Sequence, residues 1–357
     1  MQPSSAPTIS VLMALYNGAD LVGETIASLQ AQTFGDFELI VVDDRSTDDG
    51  VAVLKAIADP RIQIIESPLN QGVVRARNTA FEHARGRYIA ALDHDDLCHP
   101  ERFARQVAYL DANPETVLLG TAANILDDGA ILPPTLAATS TPSVIEWLLK
   151  IENPLVWSSV MVRSDAAQRL DIFMRPELIC AEDYDLYHRI ARFGTIARLD
   201  QELTTYRRTR GSLSQRRVEE LRACSVAVLA DAHRDHLGDE AEDVASLLVH
   251  YVMGQLPVPD RATLRRLGDA LVRLQAHFIE TRRPDAASRK LLRWETARRW
   301  ARVGRTGLRT GSLGLIATAT VRPDHLGLGY AGLDELILSR IVGGARNVAR
   351  QTLRRTG

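Results

Sequence analysis

Through its first 112 residues the chain alternates short apolar runs with amphipathic stretches, and that alternation constrains its fold more than any other feature. Residues 9–15, 38–43, 61–66 and 88–92 have the length and bounded apolar character of buried strands. Between and after them, residues 19–30, 49–58, 73–84 and 100–112 carry helical periodicity. Repeated strand and helix units of this kind predict a doubly wound, parallel α/β sheet. The pattern then turns irregular: 116–125 reads as a strand, Asp127-Asp128-Gly129 as a turn and 131–142 as a Pro/Thr-rich loop. Residues 158–162, 196–199 and 203–206 read as short strands, with a helix over 183–193. From about Gln215 strand signals end, and 218–236, 240–252 and 261–279 read as long helices. The expected organisation is an α/β part over 1–214, divided near residue 100, and a helical C-terminal region over 215–357 that is basic from Arg282.

With 357 residues and 45% hydrophobic content the chain can bury a sizeable core. Its net charge of -2 is unevenly spread, because residues 282–357 hold sixteen Arg and Lys against five Asp and Glu. Cys98, Cys180 and Cys224 are too widely spaced for a zinc site or a disulfide framework and fit a reducing cytoplasm. Residues 1–7 lack the pattern of a secretory signal, and no run reaches the ~18 apolar residues of a membrane span. Residues 313–321, the least polar stretch of the tail, read as packed interior.

The chemistry concentrates at predicted strand ends. Residues 87–96, Arg-Tyr-Ile-Ala-Ala-Leu-Asp-His-Asp-Asp, place Asp93, Asp95 and Asp96 at or just past the carboxyl end of a strand. Open α/β sheets bind ligands there. Carboxylates this crowded need a cation, and hard oxygens suit Mg²⁺ or Mn²⁺ shared with substrate phosphates. The first strand ends in Ala14-Leu15-Tyr16-Asn17-Gly18 and not in a Gly-x-Gly-x-x-Gly turn, which argues against a dinucleotide enzyme. Asp44, at the end of the second strand, suits ribose hydroxyls or a base edge, whereas Ser46, Thr47 and Asp48 read equally well as caps of the next helix. Asn70 to Asn78 opens a helix with positive potential. Of its two arginines Arg77 is expected to face a diphosphate, and Arg75 to be solvated.

Together, Ser10-Val-Leu-Met-Ala-Leu-Tyr-Asn17, Ser28-Leu-Gln-Ala-Gln32, Phe37-Glu-Leu-Ile-Val-Val-Asp-Asp44 with Ser46-Thr47-Asp48, Asn70-Gln-Gly72 with Ala76-Arg77-Asn78, and Leu92-Asp-His-Asp-Asp96 resemble a family 2 glycosyltransferase. The resemblance covers residues 8–214. It implies a GT-A fold, a divalent metal and inverting transfer from a nucleotide-sugar, with uridine the preferred base, to a saccharide, lipid-linked or protein acceptor. It further implies that Tyr16, Asn17 and Asp44 line the nucleoside pocket, that Asp93 meets the ribose, that Asp95 meets the metal, and that Asp96 positions the donor sugar. His94, between the aspartates, reads as a bystander.

Cys180-Ala-Glu-Asp-Tyr-Asp-Leu-Tyr-His-Arg189 resembles the family's Glu-Asp segment, which makes Asp183 the general base and Glu182 its neighbour. Capping of the following helix is the competing reading of Asp183. Residues 153–163 resemble the acceptor-side strand, with Trp157 where relatives often carry His; the ring either stacks on a sugar or fills core. Residues 206–214 resemble the closing segment, with Thr209 where some relatives carry a His, and Arg207, Arg208 and Arg210 are available to a diphosphate. Ala14 for Pro and Arg45 for Gly are further departures.

Two other functions compete: a nucleotidyltransferase, which lacks its Gly-rich loop here, and a non-catalytic nucleotide-sugar-binding subunit. The tail divides similarly. Residues 282–309 interleave ten basic residues with Leu291, Leu292, Trp294, Trp300 and Val303. That pattern suits either peripheral contact with the inner membrane face or packing of the apolar stripe with solvated arginines. No nucleic-acid module accompanies the charge.

Overall fold

The computed structural model describes residues 6–134, 139–209, 216–321 and 338–339. The chain divides into two compact units, one of Met1–Glu146 with Pro154–Cys224 and one of Trp147–Asn153 with Ser225–Gly357. In the first, nine strands among the described residues form one mixed sheet.

Strands β1 (Ile9–Leu15), β2 (Phe37–Asp43), β3 (Ile62–Glu66) and β4 (Tyr88–Ala91) pair in parallel in the order β3-β2-β1-β4. Every residue of β1, β2 and β4 is buried, as an apolar run covered on both faces must be. The helices α1 (Ala19–Gln30), α2 (Gly50–Ala56) and α3 (Val73–Glu82) form the crossovers. In α1, Val22, Thr25, Ile26 and Leu29 turn one face inward at helical spacing. The parallel order brings the ends of β1, β2 and β4 to one edge, with the N-terminus of α3.

Beyond β4 the sheet is mixed. After the two-residue β5 (Leu97–Cys98) and helix α4 (Arg102–Ala112), the long β6 (Thr116–Asp127) turns into β7 (Ala130–Leu132). Part of the expected loop over 131–142 is therefore strand. All three residues of β7 are exposed, so no alternation marked it, and the hairpin closes on left-handed Asp128 and Gly129. Helix α5 (Pro142–Leu149) follows. The strand expected over 158–162 begins as a 3₁₀ turn at Trp157–Ser159 and becomes β8 (Met161–Arg163), antiparallel to β4 and β6. After the short helix α6 (Ser164–Ala167) comes α7 (Glu182–Ile190), which matches the expected helix. The two strands expected over 196–206 are one, β9 (Thr195–Arg208), parallel to β6, with register shifts near Thr121 and Ala122 absorbing the polar stretch between them.

The second unit is helical: Val218–Leu237 enters it, and Ala241–Leu247 runs on into a π turn at Leu248–Met253. Arg261–Arg282, Ala286–Thr310 and Leu315–Thr320 follow. Asp260 and Asp285 cap two of these helices by accepting the amides of Thr263 and Ser288 at 2.7 and 2.8 Å. Trp147 is fully buried against Phe278, and its Nε1 donates to Thr296 Oγ1 at 2.8 Å. The stretch expected as packed interior is split, since Leu313, Thr318 and Val321 are buried but Ile316 is 77% exposed.

Candidate active site

A cleft of about 790 Å³ opens in the first unit along the carboxyl edge of β1, β2 and β4. Tyr16, Asn17, Asp44, Arg77, Asp93 and Asp95 all border it, as do Trp157, Glu182 and Asp183. Nine of the eleven residues singled out from sequence thus share one concavity.

At the end of β1 the backbone turns left-handed at Asn17, φ 51°, a conformation asparagine tolerates. Asn17 Oδ1 accepts the Thr47 amide at 2.8 Å, and its own amide donates to Ser46 Oγ at 3.0 Å. Ser46 and Thr47 therefore bind the first strand's loop and cap no helix. Asp48 instead accepts the amides of Ala19 and Gly50, which open α1 and α2, at 2.8 and 3.0 Å. Arg45, the departure from Gly, is left-handed at φ 66°. Asp44 is buried and clasps the next loop, its two oxygens accepting the amides of Gln71 and Gly72 at 2.7 Å each. Gly72 has φ 89°, so a side chain there would strain the turn that presents its amide.

After β4, Asp93 takes an ion pair from Arg77 at 2.6 Å. Arg77 grips Glu182 at 2.6 Å with its other terminal nitrogen and lies 4.8 Å from the centroid of the Trp157 ring. Its guanidinium thus bridges two carboxylates inside the wall, in place of the open diphosphate contact expected from sequence. Arg75 is exposed, as expected, and Asn78 instead fastens Met174 through both backbone groups. Burial, opposed by Arg77 and helped by the neighbouring Asp183, pushes the Glu182 carboxyl up to about 7. Burial and Asp93 also raise Asp95, whose Oδ2 accepts from Thr209 Oγ1 at 3.3 Å. Asp183 stands in the first turn of α7 beside the cleft. Behind it the buried Tyr187 hydroxyl has no hydrogen-bond partner among the described residues and is held well above the usual tyrosine range by burial and by Asp183.

The two remaining residues lie off the cleft. Asp96 is 1% exposed and accepts the Arg207 amide at 2.8 Å, fixing β9 against the aspartate turn; burial raises its pKa strongly. Arg207 turns outward, with Nε on the Asp95 carbonyl at 2.9 Å and Nη2 on Glu24 at 2.6 Å. Arg208 pairs with Asp127, and Arg210 lies outside the described residues. Besides Arg77, Arg216 and Arg217 border the cleft. Sequence reasoning passed over them although they adjoin the closing segment. Trp157, 6% exposed, borders the cleft while packing on Arg77 and lying 6.5 Å from Phe173. His94 also borders the cleft; its ring sits where a Cβ on Gly18 would meet it at 2.3 Å.

Among the described residues no group of three His, Cys, Asp or Glu side chains is arranged to hold a metal alone. A raised carboxylate at the cleft, Asp95, does fit an Mg²⁺ or Mn²⁺ ion that takes its other ligands from substrate phosphates.

Comparison with known proteins agrees with this geometry. The family described as Glycosyl transferase family 2 matches residues 10–169. The UDP-Glc:alpha-D-GlcNAc-diphosphoundecaprenol beta-1,3-glucosyltransferase WfaP of Escherichia coli is 30% identical over 216 residues, 60% of this chain and 82% of that protein. The chain belongs to glycosyl transferase family 2. It spans 60% and 66% of the length of two other curated glycosyltransferases it matches. Staphylococcus aureus TarS 1-349 in complex with UDP-GlcNAc superposes with a TM-score of 0.54 at 16% identity, covering 96% of this chain and 92% of that one. The mannosyltransferase PcManGT of Pyrobaculum calidifontis, in complex with GDP-Man and Mn²⁺, does so at 0.50 and 19% identity, covering 89% and 87%. The fold is GT-A: a curled, mostly parallel sheet with flanking helices.

Proposed function

We propose that the chain is an inverting, metal-dependent glycosyltransferase that moves a sugar from a UDP-sugar to an acceptor hydroxyl. The carrying observation is that Asp95, from the turn after β4, and Asp183, from the first turn of α7, border the same cleft. Tyr16, Asn17 and Asp44 receive the nucleoside, Asp93 the ribose side, and Trp157 the sugar or acceptor. Residues 1–214 form the catalytic part, with the donor half up to about residue 100 and the acceptor half from 101.

Asp183 takes the proton of the acceptor hydroxyl, which has too high a pKa to attack as an alkoxide at neutral pH. The oxygen attacks the anomeric carbon as the bond to the diphosphate breaks on the opposite face, and the configuration inverts. Asp95 would hold the Mg²⁺ or Mn²⁺, whose role is to neutralise charge on the departing diphosphate. Arg216 and Arg217 add positive charge at the same cleft. Arg77 holds Asp93 and Glu182 in register around this path. Likeness to WfaP supports a UDP-sugar donor and a saccharide carried on a lipid diphosphate, and likeness over 106 residues to the succinoglycan biosynthesis protein ExoO supports a place in cell-surface polysaccharide synthesis. Likeness to TarS with UDP-GlcNAc supports the same nucleotide, and the three free cysteines fit the cytoplasm.

Release of UDP from UDP-glucose or UDP-GlcNAc, with and without Mn²⁺, tests the reading. Wild-type protein is expected to release UDP in a metal-stimulated manner, and Asp183→Asn to lower acceptor-dependent turnover by about 10²–10⁴ while UDP binding persists. Loss of UDP binding together with turnover would remove Asp183 from the role of base.

A further inference from the structure

The wall of the cleft holds buried polar atoms that bond nothing among the described residues, and one of them lies a single helical turn from Asp183. It is the Tyr187 hydroxyl, on a side chain with 0% exposure. Arg77 Nε is another, although the two terminal nitrogens of the same guanidinium are spent on Asp93 and Glu182 at 2.6 Å each. An unpaired hydroxyl in the interior is destabilising, and phenylalanine would fill the same space without that cost. A group of this kind calls for a role beyond packing.

Tyr187 follows Asp183 by four residues in α7, so the two side chains leave the same face of the helix. After burial, Asp183 is the strongest influence raising the hydroxyl, Arg77 opposes it, and Glu182 and Asp93 complete the charged groups around it. These carboxylates differ in what they offer. Glu182 Oε1 and Asp93 Oδ1 already accept from Arg77, and Glu182, five residues from Tyr187, leaves α7 in another direction. Asp183 Oδ1 accepts the Tyr184 amide at 2.7 Å, a local contact at the start of its own helix. A hydroxyl accepts one hydrogen bond while donating another. Set between Arg77 Nε and Asp183, the Tyr187 hydroxyl would satisfy both itself and the arginine.

We propose that Tyr187 is a positioning residue for the base: its hydroxyl accepts from Arg77 Nε and donates to the Asp183 carboxylate when substrates fill the cleft. The oxygen is too deeply buried to touch substrate, so it acts only through Asp183. Hydrogen bonds among catalytic groups tighten as substrates bind. This one aims the carboxylate at the acceptor hydroxyl and ties that aim to the arginine that also holds Asp93 on the donor side. Donation to the carboxylate weakens the base slightly, and fixed geometry outweighs that loss. The inference rests on Asp183 being the base of the proposed transfer.

Steady-state release of UDP from UDP-glucose or UDP-GlcNAc with Mn²⁺ tests it in the full-length chain, alongside thermal melts without substrate. Water serves as the acceptor, and its proton goes to the same base. Tyr187→Phe is expected to lower kcat by about 10–100-fold, as loss of a hydrogen bond to a charged group does, with KM for the donor unchanged. Its melting temperature should equal or exceed that of the wild type, because no bond to the hydroxyl is lost in the free protein. An unchanged kcat in Tyr187→Phe, or a raised KM with kcat kept, overturns the proposal. So does a lowered melting temperature, which would mark a hydroxyl bonded for structure alone. Asp183→Asn keeps the two readings apart. Full turnover in that variant removes the base and the inference with it, whereas an inactive Asp183→Asn beside a fully active Tyr187→Phe removes the inference alone.

Discussion

Each unit of the molecule buries an arginine between two carboxylates, and the two clamps serve different ends. Arg77 joins Asp93 to Glu182 in the wall of an open cleft. Arg299 joins Glu152 to Glu295 among helices, 1% exposed. Around Arg77 the excess is acidic, with Asp95, Asp96 and Asp183 close by and Glu182 raised to about 7. Around Arg299 the excess is basic, with Arg298, Arg302 and Arg305 crowding the same helix. A surplus of carboxylates leaves groups that titrate and can move protons. A surplus of guanidiniums leaves only fixed charge, suited to holding a helix.

The comparison breaks most visibly in unfolding measurements. Arg299→Met strands two carboxylates and is expected to cost about 3–5 kcal/mol in urea melts, as removal of one partner from a buried ion pair does. Arg77→Met should cost less, about 1–3 kcal/mol, because Glu182 can take up a proton once its cation is gone. Equal losses, or the reverse order, would mean that the two clamps are alike.

A pH series sharpens the same contrast. The Glu182 carboxyl is raised from 4.5 to about 7 by folding, so the native state holds its proton more tightly than the unfolded chain does. Its contribution is complete below about 4.5 and disappears as pH rises through 7. Melting temperature should fall across that window, and Glu182→Gln should remove the fall, worth about 3 kcal/mol. Arg299→Met should leave it in place. The smallest effect is at the cleft's edge: Arg45→Gly relieves a left-handed backbone and should stabilise by about 0.5–1 kcal/mol, read as a higher denaturant midpoint with unchanged slope.

Much of the parallel half was legible because its strands are buried on both faces and its helices bury one, so hydrophobic period and position agree. Asp44, Asp93, Asp95 and Asp183 were legible because each follows an apolar run or opens a helix, where backbone direction alone fixes where the residue goes. The strand β7 was not, since its three residues are exposed and carry no alternation. Arg207 was misjudged for another reason. The register shifts between β6 and β9 decide which side of the sheet it takes, and a bulge leaves no mark in composition. Arg216 and Arg217, by contrast, do border the cleft.

By itself, then, the sequence determined the order of strands and helices in the first 112 residues and the kinds of group delivered to the carboxyl edge, because period and strand ends are local properties. Only the tertiary structure decided which charges face each other: that Arg77 is consumed by Asp93 and Glu182, that Asp96 fastens β9 instead of facing the cleft, and that the tail's tryptophans divide between core and surface. Electrostatic pairing and burial depend on residues distant in the chain, and their balance exists only once the chain has folded.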